Sequence, residues 1–248
     1  MHIIPVKDFN DLGRKASQFI IQLVREKPDA VLGLATGSTP KSTYKELIQD
    51  HRLNGTSYQH VRTVNLDEYV GLAKDNPNSY HYFMRDQLFN HIDIPDRNIY
   101  IPNGLASDLE EECRRYDRLI TELGGVDLQI LGIGRNGHIG FNEPGTSFEV
   151  MTHVVDLTLD TRKANARFFN TLEEVPKQAI TMGIKNILQS RSILLLASGP
   201  SKADAMARLL NESKITNAFP ASSLHQHRNV TVIADEDALS MVYLERRA

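Results

Sequence analysis

The chain has 248 residues, 41% of them hydrophobic and 24% charged, and its 28 Lys and Arg against 31 Asp and Glu leave a formal charge of −3. No run approaches the roughly 20 apolar residues of a membrane span, and the near-neutral balance gives no basic footprint for nucleic acid. The lone Cys113 can form neither an internal disulfide nor a CxxC metal or redox site. The first residues, Met1-His2-Ile3-Ile4-Pro5-Val6-Lys7, lack the basic-then-apolar layout of a signal peptide. The expectation is a cytoplasmic enzyme or small-molecule binding protein, built as a single domain with no internal linker.

In chain order, the apolar run 30–35 predicts a buried strand, followed by a helix over 39–50 with Pro40 near its first turn. Residues 61–66 read as a second strand. A helix over 79–89 follows, with Tyr82, Phe83, Leu88 and Phe89 spaced to face a core. The acidic start Asp108-Leu109-Glu110-Glu111-Glu112 opens an amphipathic helix over 108–123, stopped by Gly124-Gly125. Strands at 126–131 and 192–197, a helix over 201–210 and a strand at 230–234 complete the series. Short apolar runs alternating with helical segments predict an α/β fold, a mainly parallel sheet with helices on both faces. Ligands in such sheets bind beyond the carboxyl ends of the strands, so the residues after Ala35, Leu66, Leu131 and Ala197 should converge on one crevice.

The chemistry-bearing residues stand at those ends. Thr36-Gly37-Ser38-Thr39-Pro40 leads into a helix, where backbone N–H groups, hydroxyls and the helix dipole suit a phosphate. A capped helix after a tight turn is the ordinary alternative. Asn65-Leu66-Asp67-Glu68-Tyr69 places two adjacent carboxylates after an apolar strand. Partial burial there would raise a carboxylate towards the range of a general base, and since neighbours point different ways, only one need face a ligand; a solvated turn is the alternative. The stretch from Gly132 to Gly137 satisfies G-x-G-x-x-G and has Asp156 about 20 residues beyond, as in a dinucleotide fingerprint. Gly140, Asn142, Pro144 and Gly145 keep the chain irregular where that fingerprint needs a helix, so it is rejected. The loop instead presents His138, suited to proton transfer near neutral pH, beside Glu143, a carboxylate able to orient the ring and stabilise an imidazolium. At the fourth end, Ala197-Ser198-Gly199-Pro200-Ser201-Lys202 offers a cation and hydroxyls, and Arg167 is a second candidate cation. Either could be a solvated surface charge. His225 and His227 could share a strand face, but no third ligand has metal-site spacing.

Taken together in this order, Thr36-Gly37-Ser38-Thr39-Pro40, Asn65-Leu66-Asp67-Glu68-Tyr69 and Gly137-His138-Ile139-Gly140-Phe141-Asn142-Glu143-Pro144 closely resemble the glucosamine-6-phosphate deaminase family, nearly end to end. The wider superfamily also holds 6-phosphogluconolactonases and sugar-phosphate-sensing domains; Leu66-Asp67-Glu68-Tyr69-Val70-Gly71-Leu72 favours the deaminase branch. The resemblance implies a single-domain three-layer sandwich with a Rossmann-like, mainly parallel sheet. It also implies an isomerising deaminase, hydrolytic in its use of water, that converts glucosamine 6-phosphate to fructose 6-phosphate and ammonia without a cofactor or metal. On that resemblance His138 moves the ring-opening proton, with Glu143 and the residue at 136 setting its charge and orientation. Asp67 moves the C2 proton, and Thr36, Gly37, Ser38 and Thr39 with Arg167 and Lys202 hold the phosphate.

Two departures from the family pattern matter. Many members carry aspartate where this chain has Asn136, and an amide can orient the ring without supporting its positive charge. Hexameric members bind the activator N-acetylglucosamine 6-phosphate between subunits through basic residues; the matching stretch here, Thr152-His153-Val154-Val155-Asp156, has no Arg or Lys. A monomer or small homo-oligomer without that activation is expected. The polar, basic stretch 157–175, with Phe168-Phe169, reads as a mobile lid. The rivals are a lactonase, which needs no C2 base, and a catalytically silent sensor.

Overall fold

In the computed structural model, which describes residues 1–166 and 169–242, the apolar runs assemble into one sheet with two layers of helices. The elements are β1 (His2–Val6), α1 (Phe9–Glu26), β2 (Val31–Leu34), α2 (Lys41–Asn54), β3 (Arg62–Asn65), β4 (Asp67–Tyr69), α3 (Tyr80–Gln87), β5 (Ile99–Tyr100), α4 (Leu109–Glu122), β6 (Leu128–Gly132), β7 (His153–Asp156), α5 (Leu159–Asn165), β8 (Gln178–Thr181), α6 (Ile184–Leu188), β9 (Ser192–Ala197), α7 (Ala203–Asn211) and β10 (Val230–Asp235). Seven strands pair in the order β1-β10-β9-β6-β2-β3-β5, all in parallel. The sheet is covered on both faces, which is why β9 reads as an unbroken apolar run: Ile193, Leu194, Leu195 and Leu196 are all buried.

Local signals account for most boundaries. Asp108 caps α4 by accepting from the Glu111 N–H at 2.9 Å, and Cys113, Tyr116 and Ile120 form its buried stripe. Gly124 (φ +84°) ends that helix. Asp8 likewise caps α1 through the N–H groups of Asn10 and Asp11; this helix and β1 have clear patterns that the sequence reading passed over. Pro40 precedes α2 rather than lying inside it. The helix expected over 79–89 stops at Gln87 and continues as a 3-10 turn over Phe89–His91. Leu88 and Phe89 are buried as expected, but Tyr82 faces solvent and Met84 is the buried residue of α3.

A second, antiparallel sheet, β4-β8-β7, was not anticipated. Leu66 is its pivot: its N–H still bonds Leu34 of β2, while its carbonyl accepts from Met182 just past β8. The chain thereby leaves the parallel sheet at Asp67, and β4 pairs Asp67 with Thr181 and Glu68 with Ile180. Glu68 fixes the new direction. Its fully buried carboxylate accepts from the N–H groups of Tyr69 (2.8 Å), Tyr80 (2.9 Å) and His81 (3.0 Å) and from His81 Nδ1 (2.8 Å), so it both caps α3 and pins β4 to it. Glu68→Ala leaves those buried N–H groups without an acceptor and should cost on the order of 3 kcal/mol, read as a lowered urea midpoint.

Candidate active site

Strands β9, β6, β2 and β3 are consecutive neighbours in the sheet, so the four segments that follow them lie along one edge, as the sequence predicts. Asp67 stands at the end of this row. It points opposite to Glu68 along β4, is only 7% exposed, and accepts no hydrogen bond from the described residues. Burial, reinforced by the neighbouring Glu68 charge, pushes its carboxyl up to about 8. Two adjacent carboxylates are thus divided: one is saturated with donors, the other is left unpartnered and near neutrality in its proton affinity.

Around Asp67 is an aromatic wall. Tyr69 and Tyr80 have ring centroids 4.7 Å apart, Phe141 stacks on Tyr80 at 6.3 Å, and Phe169 meets Tyr69 edge-on at 5.9 Å. The Tyr69 hydroxyl hydrogen-bonds Tyr80 and Asn165 of α5, and Tyr80 also reaches Thr36. The wall therefore ties the surroundings of Asp67 to the loop after β2. The aromatic run after Asp67 and the pair Tyr80 and Phe141 carried no signal that separated them from ordinary core.

The loop after β6 is irregular throughout, without a helix before α5 among the described residues. Two glycines are required by contact. A Cβ on Gly134 would lie 2.3 Å from Nδ1 of His138, and one on Gly137 (φ +83°) would lie 2.1 Å from the Phe219 ring. The backbone is folded tightly behind the imidazole, with Gly134 N–H bonded to the His138 carbonyl. His138 Nδ1 is 2.8 Å from Oδ1 of Asn136, and Asn136 Nδ2 donates to Glu143 Oε2 at 2.6 Å. An ionised carboxylate only accepts, so the amide nitrogen faces Glu143 and the amide oxygen faces the ring. Nδ1 must then carry a proton, leaving Nε2 as the free nitrogen of the neutral ring. Asn136 is a bridge, and an aspartate could not donate onward in its place. Glu143 also accepts from Thr161 Oγ1 at 2.6 Å. Burial works to raise the Glu143 carboxyl, but the bonds from His138, Thr161 and Asn136 prevail and hold it at about 2.

The remaining site candidates lie nearby. Gly37 takes φ +94°, with Ser38 exposed and Thr36 and Thr39 half-buried beside it. Lys202 reaches across from the turn after β9, its ammonium donating to the Ile133 carbonyl at 2.6 Å. Ser198 and Gly199 are spent internally, both donating to the buried Asp235. Arg167 lies outside the described residues. His225 and His227 do not share a strand face: the first ends a 3-10 helix over Pro220–Gln226, and their Nε2 atoms bond the carbonyls of Leu209 and Ser190 respectively.

A model of the glucosamine-6-phosphate isomerases/6-phosphogluconolactonase family matches residues 9–233. The chain belongs to this family. Within the isomerase/lactonase family its relatives include a glucosamine-6-phosphate deaminase of Geobacillus sp. (strain WCH70), 62% identical over 100% of this chain and 98% of that protein. Another is glucosamine-6-phosphate deaminase 1 of Bacillus subtilis (strain 168), 54% identical over 97% of this chain and 99% of that protein. A solved structure of a monomeric glucosamine-6-phosphate deaminase superposes with a TM-score of 0.96 at 54% identity, covering 97% of this chain and 100% of that one. The 6-phosphogluconolactonase from Trypanosoma brucei shares the fold, with a TM-score of 0.76 at 19% identity.

Asp67 leaves a thermodynamic mark that can be measured. Below its ordinary value of 3.8 both folded and unfolded chains hold its proton; between there and about 8 only the folded chain does. Unfolding then releases a proton, so the Asp67 contribution to stability falls as pH rises through that window. Asp67→Asn should remove this slope and gain on the order of a few kcal/mol above pH ~8, seen in urea titrations at stepped pH.

Proposed function

We propose that the protein converts glucosamine 6-phosphate and water to fructose 6-phosphate and ammonia, as an isomerising deaminase. The observation that carries this reading is the buried, unpartnered Asp67, facing the same sheet edge as a histidine whose tautomer is set by Asn136. Lactone hydrolysis has no use for such a base, whereas aldose–ketose isomerisation requires one.

In this reading the phosphate rests on Thr36, Gly37, Ser38 and Thr39, with Arg167 and Lys202 supplying positive charge. Lys202 is held towards the strand ends by its bond to the Ile133 carbonyl. His138 acts through Nε2, taking the proton of the anomeric hydroxyl and returning one to the ring oxygen as the ring C–O bond breaks. As the imidazole gains charge, Glu143 offsets it from 3.6 Å, with Asn136 between them. Asp67 then removes the C2 proton of the open aldehyde while a proton of the substrate's ammonium passes to O1, giving an enolamine, and returns the proton it took to C1. The resulting C2 iminium adds water and expels ammonia. No step calls for a cofactor.

The chain has the dimensions of the monomeric deaminase, and we read it as a monomer or small oligomer without allosteric activation. An open cleft of about 630 Å³ beside β7 is lined by Ser107, Asp108, Leu109, Glu110, Val154, Asp156 and Gln178. Its carboxylates repel a sugar phosphate rather than hold one. The stretch 157–175, part of which is α5, is read as a lid over the strand ends. No helix of the described residues is long and apolar enough to cross a membrane. Phosphorylated sugars do not cross bilayers unaided, and we read the reaction as cytoplasmic on that ground.

Purified protein should release ammonia from glucosamine 6-phosphate, and Asp67→Asn should lose at least about 100-fold in kcat. Hydrolysis of 6-phosphogluconolactone instead, or binding without turnover in the unaltered protein, overturns the reading. In the unaltered enzyme kcat/KM should climb as pH rises towards about 8, where Asp67 ionises. Saturation curves should be hyperbolic, unmoved by N-acetylglucosamine 6-phosphate, with a monomer-sized or dimer-sized particle in sedimentation; a sigmoidal curve relieved by that compound contradicts the non-allosteric reading.

A further inference from the structure

Glu143 is reached from two sides. From its own loop come Asn136 and, behind it, His138. From α5 comes Thr161, whose hydroxyl donates to Glu143 Oε1 at 2.6 Å while Asn136 Nδ2 donates to Oε2 at 2.6 Å. Each carboxylate oxygen thus has one short, charge-assisted partner. Thr161 is itself buried, and its hydroxyl oxygen accepts from Thr158 Oγ1 at 3.0 Å. A hydroxyl has a single proton, so the donation runs one way: Thr158 to Thr161, Thr161 to Glu143. From the other end it runs His138 to Asn136, Asn136 to Glu143. Thr158 is also the cap of α5, accepting from the Thr161 N–H at 3.2 Å, so the chain of hydroxyls exists only when the helix is formed.

A second contact holds the same face. Asn165, one turn beyond Thr161 on α5, reaches the Tyr69 hydroxyl in the wall around Asp67. The helix therefore touches the surroundings of both reacting groups, and Thr161 is the point where it meets the histidine's chain.

We infer that Thr161 is a positioning residue for His138: its hydroxyl fixes Glu143, which orients Asn136, which in turn holds the imidazole with its proton on Nδ1 and Nε2 turned to the sugar. A docked α5 would thereby set the ring-opening nitrogen, so closure over the substrate and readiness of the histidine become one event. Thr161 touches no reacting atom, and its effect travels through two side chains. The kinetic part of this inference rests on the deaminase reading above; the effect on the imidazole does not.

The test compares Thr161→Val, which keeps the branched shape and removes the hydroxyl, with Thr161→Ser, which keeps the hydroxyl. Valine should lower kcat by about tenfold or more, with KM for glucosamine 6-phosphate changed less than about twofold, and serine should restore most of the loss. Imidazole nitrogen-15 resonances of His138 in the free proteins supply a readout independent of turnover. The unaltered protein and the serine variant should show one tautomer with the proton on Nδ1, and the valine variant a mixture. Equal kcat in the valine and unaltered proteins overturns the inference, as does a serine variant as impaired as valine, or an unchanged tautomer in valine. If the unaltered protein releases no ammonia, the deaminase reading fails by itself and the nitrogen-15 comparison still decides the role of Thr161.

Discussion

Burying two adjacent carboxylates at one strand end is the constraint on which the site depends. Asp67 and Glu68 both lie inside the protein, and burial of an ionised carboxylate is tolerable only where donors replace water. The backbone resolves this by alternation along β4. One side chain turns to the start of α3 and collects the N–H groups of Tyr69, Tyr80 and His81. The other turns to the crevice and receives none. The first carboxylate anchors the strand, and the second acquires a raised proton affinity.

The histidine is set by an opposite device. Where Asp67 is deprived of partners, the Glu143 carboxylate is supplied with them: Asn136, Thr161 and, at 3.6 Å, the His138 ring. One carboxyl is driven up to about 8 and the other held at about 2. The same chemical group is thus pushed in opposite directions by its surroundings alone. The amide between the ring and Glu143 fixes a tautomer through complementary donor and acceptor atoms. Its cost is distance, since the negative charge sits one residue further from the ring than a directly bonded carboxylate would.

The overall charge of −3 also acquires a local meaning. On the proposed reading a phosphate ester meets no general positive field here, so its capture would fall to the backbone around Gly37 and to Arg167 and Lys202. The ammonium of Lys202 sits against a neutral carbonyl. By contrast, Lys27 and Arg191 are consumed at the other end of the sheet by Asp127, each within 2.8 Å. Cations near the strand starts thus stabilise the fold through Asp127.

Much of this was legible in the residues. Apolar runs that form strands buried on both faces, such as 192–197, give their position away because nothing polar can sit in them. The motifs around Thr36, Asp67 and His138 were legible because glycine, hydroxyl, carboxylate and imidazole cluster where strands end. The chain could not reveal that β4 leaves the parallel sheet to pair with β8, since a three-residue strand has no period of its own and takes its direction from Glu68 and Leu66. It could not distinguish Asp67 from Glu68, because burial and hydrogen bonding, rather than residue type, separate the unpartnered carboxylate from the anchor. Nor could it bring Thr161 to Glu143 or assign Asn136 as a bridge: those contacts span residues whose separation along the chain carries no geometric meaning until α5 is packed. Composition and motif determined the fold class, the family and the kind of chemistry, because these rest on residue types and their local order. Tertiary structure alone decided which carboxylate is left unpartnered, which is held, and which nitrogen of His138 carries the proton, because proton affinity and tautomer are set by neighbours in space.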